Sequence, residues 1–180
     1  MRHLHFGKLF FVVFSLLLAY TVSARKPIKT LLITGQNNHN WQVSHVVLKQ
    51  ILENSGRFDV DFVISPEQGK DMSGFVLDFS PYQLVVLDYN GDSWPEETNR
   101  RFLEYVQNGG GVVIYHAADN AFSKWPEFNR ICALGGWEGR NENSGPYVYW
   151  KDGKLVKDSS AGPGGSHGRQ HEYVLNGRDK

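Results

Sequence analysis

The chain has 180 residues, 41% of them apolar and 13% aromatic, enough to build one buried core in a single domain. Lys and Arg together number 19, and so do Asp and Glu, which leaves no net charge to recruit nucleic acid or an acidic membrane surface. A single cysteine, Cys132, excludes an intramolecular disulfide, so the fold must rest on its core.

The first segment stands outside the fold. Arg2 and Lys8 flank a short positive region, and "LFFVVFSLLLAY" (9–20) is continuously apolar. "TVSA" follows, with Val22 and Ala24 at the small-residue positions that a signal peptidase reads. The apolar run is short for a bilayer span, so residues 1–24 read as a secretory signal cut after Ala24, with a retained anchor as the competing reading. The protein is then exported, to the periplasm or the extracellular space, and residues 25–180 form a domain that needs no membrane.

In the remaining chain, "KTLLITGQ" (29–36) is a short apolar run that reads as a buried strand. Val43, Val47, Leu48, Ile51 and Leu52 recur at helical spacing, and Gly56 stands where a C-terminal cap is expected. "FDVDFVIS" (58–65) and "YQLVVLDY" (82–89) read as a second and a third strand. "SWPE" (93–96) has the form of a capping box, with Ser93 as N-cap, Pro95 in the first turn and Glu96 three residues after the cap. The helix it opens runs to about Asn108, where glycines stop it. "GGGVVIYHAADNAF" (109–122) then supplies a fourth strand that ends on a histidine at a sharp turn. "YVYWKDGKLV" (147–156) predicts a hairpin around Asp152-Gly153. "SSAGPGGSHGRQHEYVL" (159–175) is a Gly-rich loop running into a strand, and no helix follows to cover it, so the domain is expected to be incomplete at its C-terminus.

Strand, helix, strand, strand, helix, strand, with near-continuous apolar strands, predicts a parallel sheet covered on both faces. The expected class is α/β, a flavodoxin-like doubly wound fold. Ligands of such sheets bind beyond the carboxyl ends of the strands. There the sequence sets Gln36, Asn37, His39 and Trp41 after the first strand, Asp88, Asn90 and Asp92 after the third, and His116 and Asp119 after the fourth.

The stretches "LLITGQNNHNW", "GGGVVIYHAADNAF", "LGGWEGR" and "SHGRQHEY" resemble the ThuA-like family, named for trehalose utilisation, which is similar to a branch of the class I glutamine amidotransferase-like superfamily. The resemblance covers most of the chain from about Lys29 onward. It implies that His116 stands where the amidotransferases carry their catalytic cysteine. Cys132 lies too far along to substitute. Glutamine hydrolysis needs a thiolate activated by a neighbouring base, so that activity is excluded. The resemblance implies instead a role in sugar utilisation.

His116 is the first candidate, as a metal ligand or a general acid/base, against a histidine that merely bonds a backbone carbonyl. His39 reads equally as a ligand or as a solvated loop residue. His167 and His171 share the Gly-rich loop and are candidate third ligands. A divalent metal held by His39, His116 and one of these is expected to be zinc, which imidazole suits. Asp119 either orients His116 or caps the following helix. His45 reads as a surface or packing residue. Asn37, Trp41, Asp88, Asn90 and Trp137 are candidate contacts to a small carbohydrate. Glycines rarely surround a core tryptophan, which singles out Trp137 from Trp125 and Trp150. "GPGGSHG" lacks the lysine, the serine and the strand-to-helix context of a phosphate loop. Two functions follow: an enzyme acting on a sugar or an oxidised (keto) glycoside through strand-end histidines, or a non-catalytic carbohydrate-binding module on the same fold.

Overall fold

The computed structural model describes residues 26–133 and 146–162. The expected signal (1–24), Trp137, His167, His171 and the strand after the Gly-rich loop lie outside the described residues. Among the described residues no helix is long and apolar enough to cross a membrane.

Four strands form one parallel sheet in the order β2-β1-β3-β4: β1 (Ile28–Thr34), β2 (Phe58–Ile64), β3 (Leu84–Leu87) and β4 (Gly111–Ile114). The fold is therefore mixed α/β with a parallel sheet, and its strand order is compatible with the flavodoxin-like arrangement expected from the sequence. Helix α1 (Trp41–Asn54) links β1 to β2, and α2 (Glu96–Gln107) links β3 to β4. A 3-10 turn (His116–Asn120) and a short helix α3 (Pro126–Cys132) follow β4. The hairpin expected at 147–156 is present as β5 (Tyr147–Lys151) and β6 (Lys154–Asp158), antiparallel. Asp152 and Gly153 at its tip both have positive φ, 51° and 75°, as a two-residue hairpin turn of this twist requires.

Alternate residues of the strands feed opposite faces. Leu32, Val60 and Val86 pack on one face with Leu48 and Leu52 of α1. Leu31, Ile33, Val85 and Leu87 pack on the other with Phe102 of α2. The second face is much the larger core, because the 65–83 connection also lies on it. That connection contains no helix, yet it buries Phe75, Leu77 and Phe79. Thr98 of α2 fastens it, donating to the Phe75 carbonyl at 2.7 Å and accepting from the Leu77 amide at 3.3 Å.

Two helical expectations change. The apolar set of α1 is only half used: Leu48 and Leu52 are partly buried, whereas Val43, Val47 and Ile51 are exposed. The helix covers β1 and β2, and the sheet surface beside Val43 and Val47 carries the exposed Val113 and Tyr115. The capping box is also not formed. The residue preceding α2 is Pro95, no side chain caps the helix, and Trp94 is buried in the aromatic core. Burying the indole pulls the "SW" pair out of cap position, and Glu96 and Glu97 supply the first turn with negative charge instead. Gly56 does end α1 with a left-handed φ of 67°, and Gly109 stops the chain after α2 at 89°.

Candidate functional site

The polar residues expected at the carboxyl ends of the strands do gather there, but they divide between two cavities. The first, about 350 Å³, opens between the start of α1 and the end of β4. His39 and His116 both line it, and their rings are in contact, with centroids 4.6 Å apart and planes tilted by 36°. Asn37 and Asp88 form its polar floor, and Val43, Val47 and Tyr115 its apolar wall.

Each histidine is delivered by local backbone chemistry. Gly35 turns the chain at the end of β1 with a φ of 118°, and a side chain there would collide with the Ser65 amide, so only glycine fits. Asn37 then accepts the His39 amide on its side-chain oxygen at 3.0 Å, a local turn that holds the loop. His116 follows β4 after one residue, Tyr115, with a φ of 48° and opens the 3-10 turn. A left-handed conformation is unfavourable for any residue with a β-carbon, and such outliers concentrate at functional sites. A strained strand-to-helix turn is also how enzymes of this general architecture expose a nucleophile. Here the exposed group is an imidazole.

Asp88 is 1% exposed and anchors the site. Its carboxylate accepts from Ser44 Oγ at 2.5 Å, Asn37 Nδ2 at 3.0 Å and Thr34 Oγ1 at 3.5 Å. Burial nevertheless pushes its carboxyl above the ordinary carboxylate range, against the lowering effect of the three donors and of His45. Asp88 thus ties the His39 loop, through Asn37, to α1, through Ser44.

The remaining candidates fare differently. Trp41 begins α1 but does not line the histidine cavity. Its ring lies 5.8 Å from His45, and its carbonyl is bonded to His45 Nδ1 at 2.6 Å. His45 is buried against Phe62, in agreement with a packing role. Asp119 lies inside the 3-10 turn, and α3 begins after Trp125 without a side-chain cap, so Asp119 does not cap that helix. Its charge is felt instead by Cys132, whose thiol burial pushes up to about 12. That thiol is no thiolate near neutrality. Among the described residues no group of three His, Cys, Asp or Glu could hold a metal ion. Of the four histidines expected as ligands, His39 and His116 are the two that the described residues bring together.

The second cavity, about 460 Å³, lies at the same sheet edge, and Asn90 belongs to it rather than to the histidines. Gln36 separates the two sides. It is buried, donates to the Pro66 carbonyl at 2.8 Å and accepts the Asp92 amide at 2.7 Å. Sequence reasoning noted Gln36 only as a strand-end residue. The signal was there: an amide directly after the turn glycine of a buried strand must find partners in the neighbouring loops. A third cavity, the largest at about 560 Å³, lies where β3 and β4 begin, the opposite edge from the histidines. Arg100, Arg101 and Glu104 of its lining are already paired, as in Arg100–Glu97, Arg100–Glu104 and Arg101–Glu97.

No protein-family model matches the chain, and a search of curated proteins returns no match.

Proposed function

We propose that this is an exported ThuA-like protein that acts in sugar utilisation, on a sugar or an oxidised (keto) glycoside, with His39 and His116 as the acting groups. The observation that carries the proposal is the pairing of the two imidazoles at 4.6 Å in one cavity, one of them held on left-handed backbone. One imidazole can accept a proton or hydrogen bond while the other donates, so the pair suits a small polar ligand bound beside the two rings. They equally suit a divalent metal, zinc foremost, with His167 or His171 completing the set and an open position left for a sugar oxygen. The flavodoxin-like doubly wound architecture belongs to the same reading, supported by the parallel order β2-β1-β3-β4.

A second reading, a non-catalytic carbohydrate-binding module, draws support from Asp88. Both of its oxygens are engaged by donors, so the only carboxylate among the described residues that line the histidine cavity has a structural task already. One paired measurement separates the readings: metal content and turnover of candidate keto-glycosides, for the full chain and for His116→Asn. The enzyme reading expects turnover or metal in the wild type and its loss in a variant that still melts cooperatively. A folded variant with unchanged metal and turnover returns His116 to a structural role. Sugar binding without turnover or metal in either protein identifies a binding module.

A further inference from the structure

We propose that the second cavity at the strand edge is a subsite for a neutral, polyhydroxylated ligand, a sugar ring held by side-chain amides and an indole. It takes from the functional reading only that the ligand is a carbohydrate. Its volume of about 460 Å³ falls in the usual range for ligand sites, roughly 300–1,000 Å³.

Side-chain amides are the commonest group in the lining. Gln68, Asn90, Asn99 and Asn120 bring four amides from four different segments: the strap after β2, the end of β3, α2, and the 3-10 turn. An amide offers donors and acceptors together, the pairing a hydroxyl group needs. Asp92 and Lys124 contribute one charge of each sign, so the cavity has no excess of positive charge to select phosphate or a carboxylate. Two of the amides carry an independent sign of an absent partner. Among the described residues, the side-chain oxygens of Asn99 and Asn120 are fully buried and no donor reaches either one. Buried acceptors are almost always satisfied, and because both residues line the cavity a small rotation of either amide would present its oxygen to a hydroxyl there.

The apolar side is equally specific. Trp125 lines the cavity and is only partly buried, with Phe128 stacked on it at 5.7 Å and 21°. A fixed indole of this kind suits the C–H face of a pyranose ring. The loop that presents it is held in shape at some cost: Phe122 has a φ of 53°, unusual for a bulky residue, and is locked by Trp94 at 4.8 Å. Asn90 also contacts Asn38, the neighbour of His39, at 3.4 Å, which links this cavity to the histidine loop.

The test is a calorimetric and saturation-transfer NMR titration of the full chain with methyl α-D-glucopyranoside, methyl β-D-galactopyranoside and trehalose, and with inorganic phosphate as the charged control. The proteins are the wild type, Asn120→Leu, Asn90→Leu and His116→Asn, each checked by thermal melting. Expected are binding of at least one neutral sugar and a loss of about tenfold or more in both amide variants, the scale of one buried polar group removed. Asn90 is half-buried in a loop, so its variant keeps the test decisive if Asn120→Leu does not fold. Sugar binding lost in His116→Asn but intact in the amide variants overturns the subsite and leaves the histidine reading standing. A wild type that binds phosphate and none of the sugars overturns the subsite as well.

Discussion

At the residue scale, the site depends on two side chains held in unfavourable circumstances. His116 carries a β-carbon on left-handed backbone, which costs about 1–2 kcal/mol for an ordinary residue. Glycine and asparagine tolerate that conformation better. His116→Gly is therefore expected to exceed His116→Ala in stability by about 1 kcal/mol, and His116→Asn should stay close to the wild type. Urea denaturation of the three variants measures this; an alanine variant as stable as the glycine one would mean that the turn relaxes without its imidazole. Asp88 bears a different burden. Its folded pKa is raised by burial, so the folded state holds the proton more tightly than the unfolded chain. Stability linked to this group is thus greatest below the ordinary carboxylate range, falls as pH rises through the raised value, and stays reduced above it. Asp88→Asn loses an acceptor, at a pH-independent cost of about 1–3 kcal/mol, but it also loses that slope. The stability of the variant relative to the wild type should improve as pH rises from about 4 to 7. A difference that is flat with pH would show that the three donors, not burial, govern the carboxyl.

At the scale of elements, both helices show how local preference yields to packing. Ser93 has the residue type and spacing of an N-cap, yet Trp94 is drawn into the core between Tyr89, Phe102 and Phe122, and the helix starts at Glu96. Ser93→Ala should accordingly change stability by less than about 0.5 kcal/mol, where a true cap would cost about 1. A measured loss of 1 kcal/mol or more would reinstate the capping box. Glu97 compensates for the missing cap. It pairs with Arg100 and Arg101 one turn on, and their hydrogen bonds hold its carboxyl down to about 2. In α1 the apolar spacing correctly marked a helix but not which side it would bury. The inward positions are His45, buried, and Leu48 and Leu52, partly buried, and Val43 and Val47 of the other stripe border the histidine cavity.

At the scale of the whole molecule, the two faces of the sheet are unequal. Phe102, 0% exposed, meets Phe79, Trp94, Trp125 and Phe128, whereas Ile51 on the opposite side is 62% exposed. Phe102→Ala is expected to cost about 3–5 kcal/mol and Ile51→Ala within about 0.5 kcal/mol of zero, both read from chemical denaturation midpoints. Equal losses would mean that Ile51 is covered in solution. The four parallel strands and the turn histidine were legible in the residues, because continuous apolar runs and strand-ending polar groups are local patterns with local causes. So was the hairpin, from Asp152-Gly153. What lay beyond the sequence was every relation between segments far apart: that His39 and His116 are in contact, that Trp41 turns to His45, that Asn90 joins the amide cavity, and that Gln36 braces three loops. Strand order and helix placement decide those neighbours, and both result from burying apolar area over the whole chain at once, a global balance that no window of sequence contains.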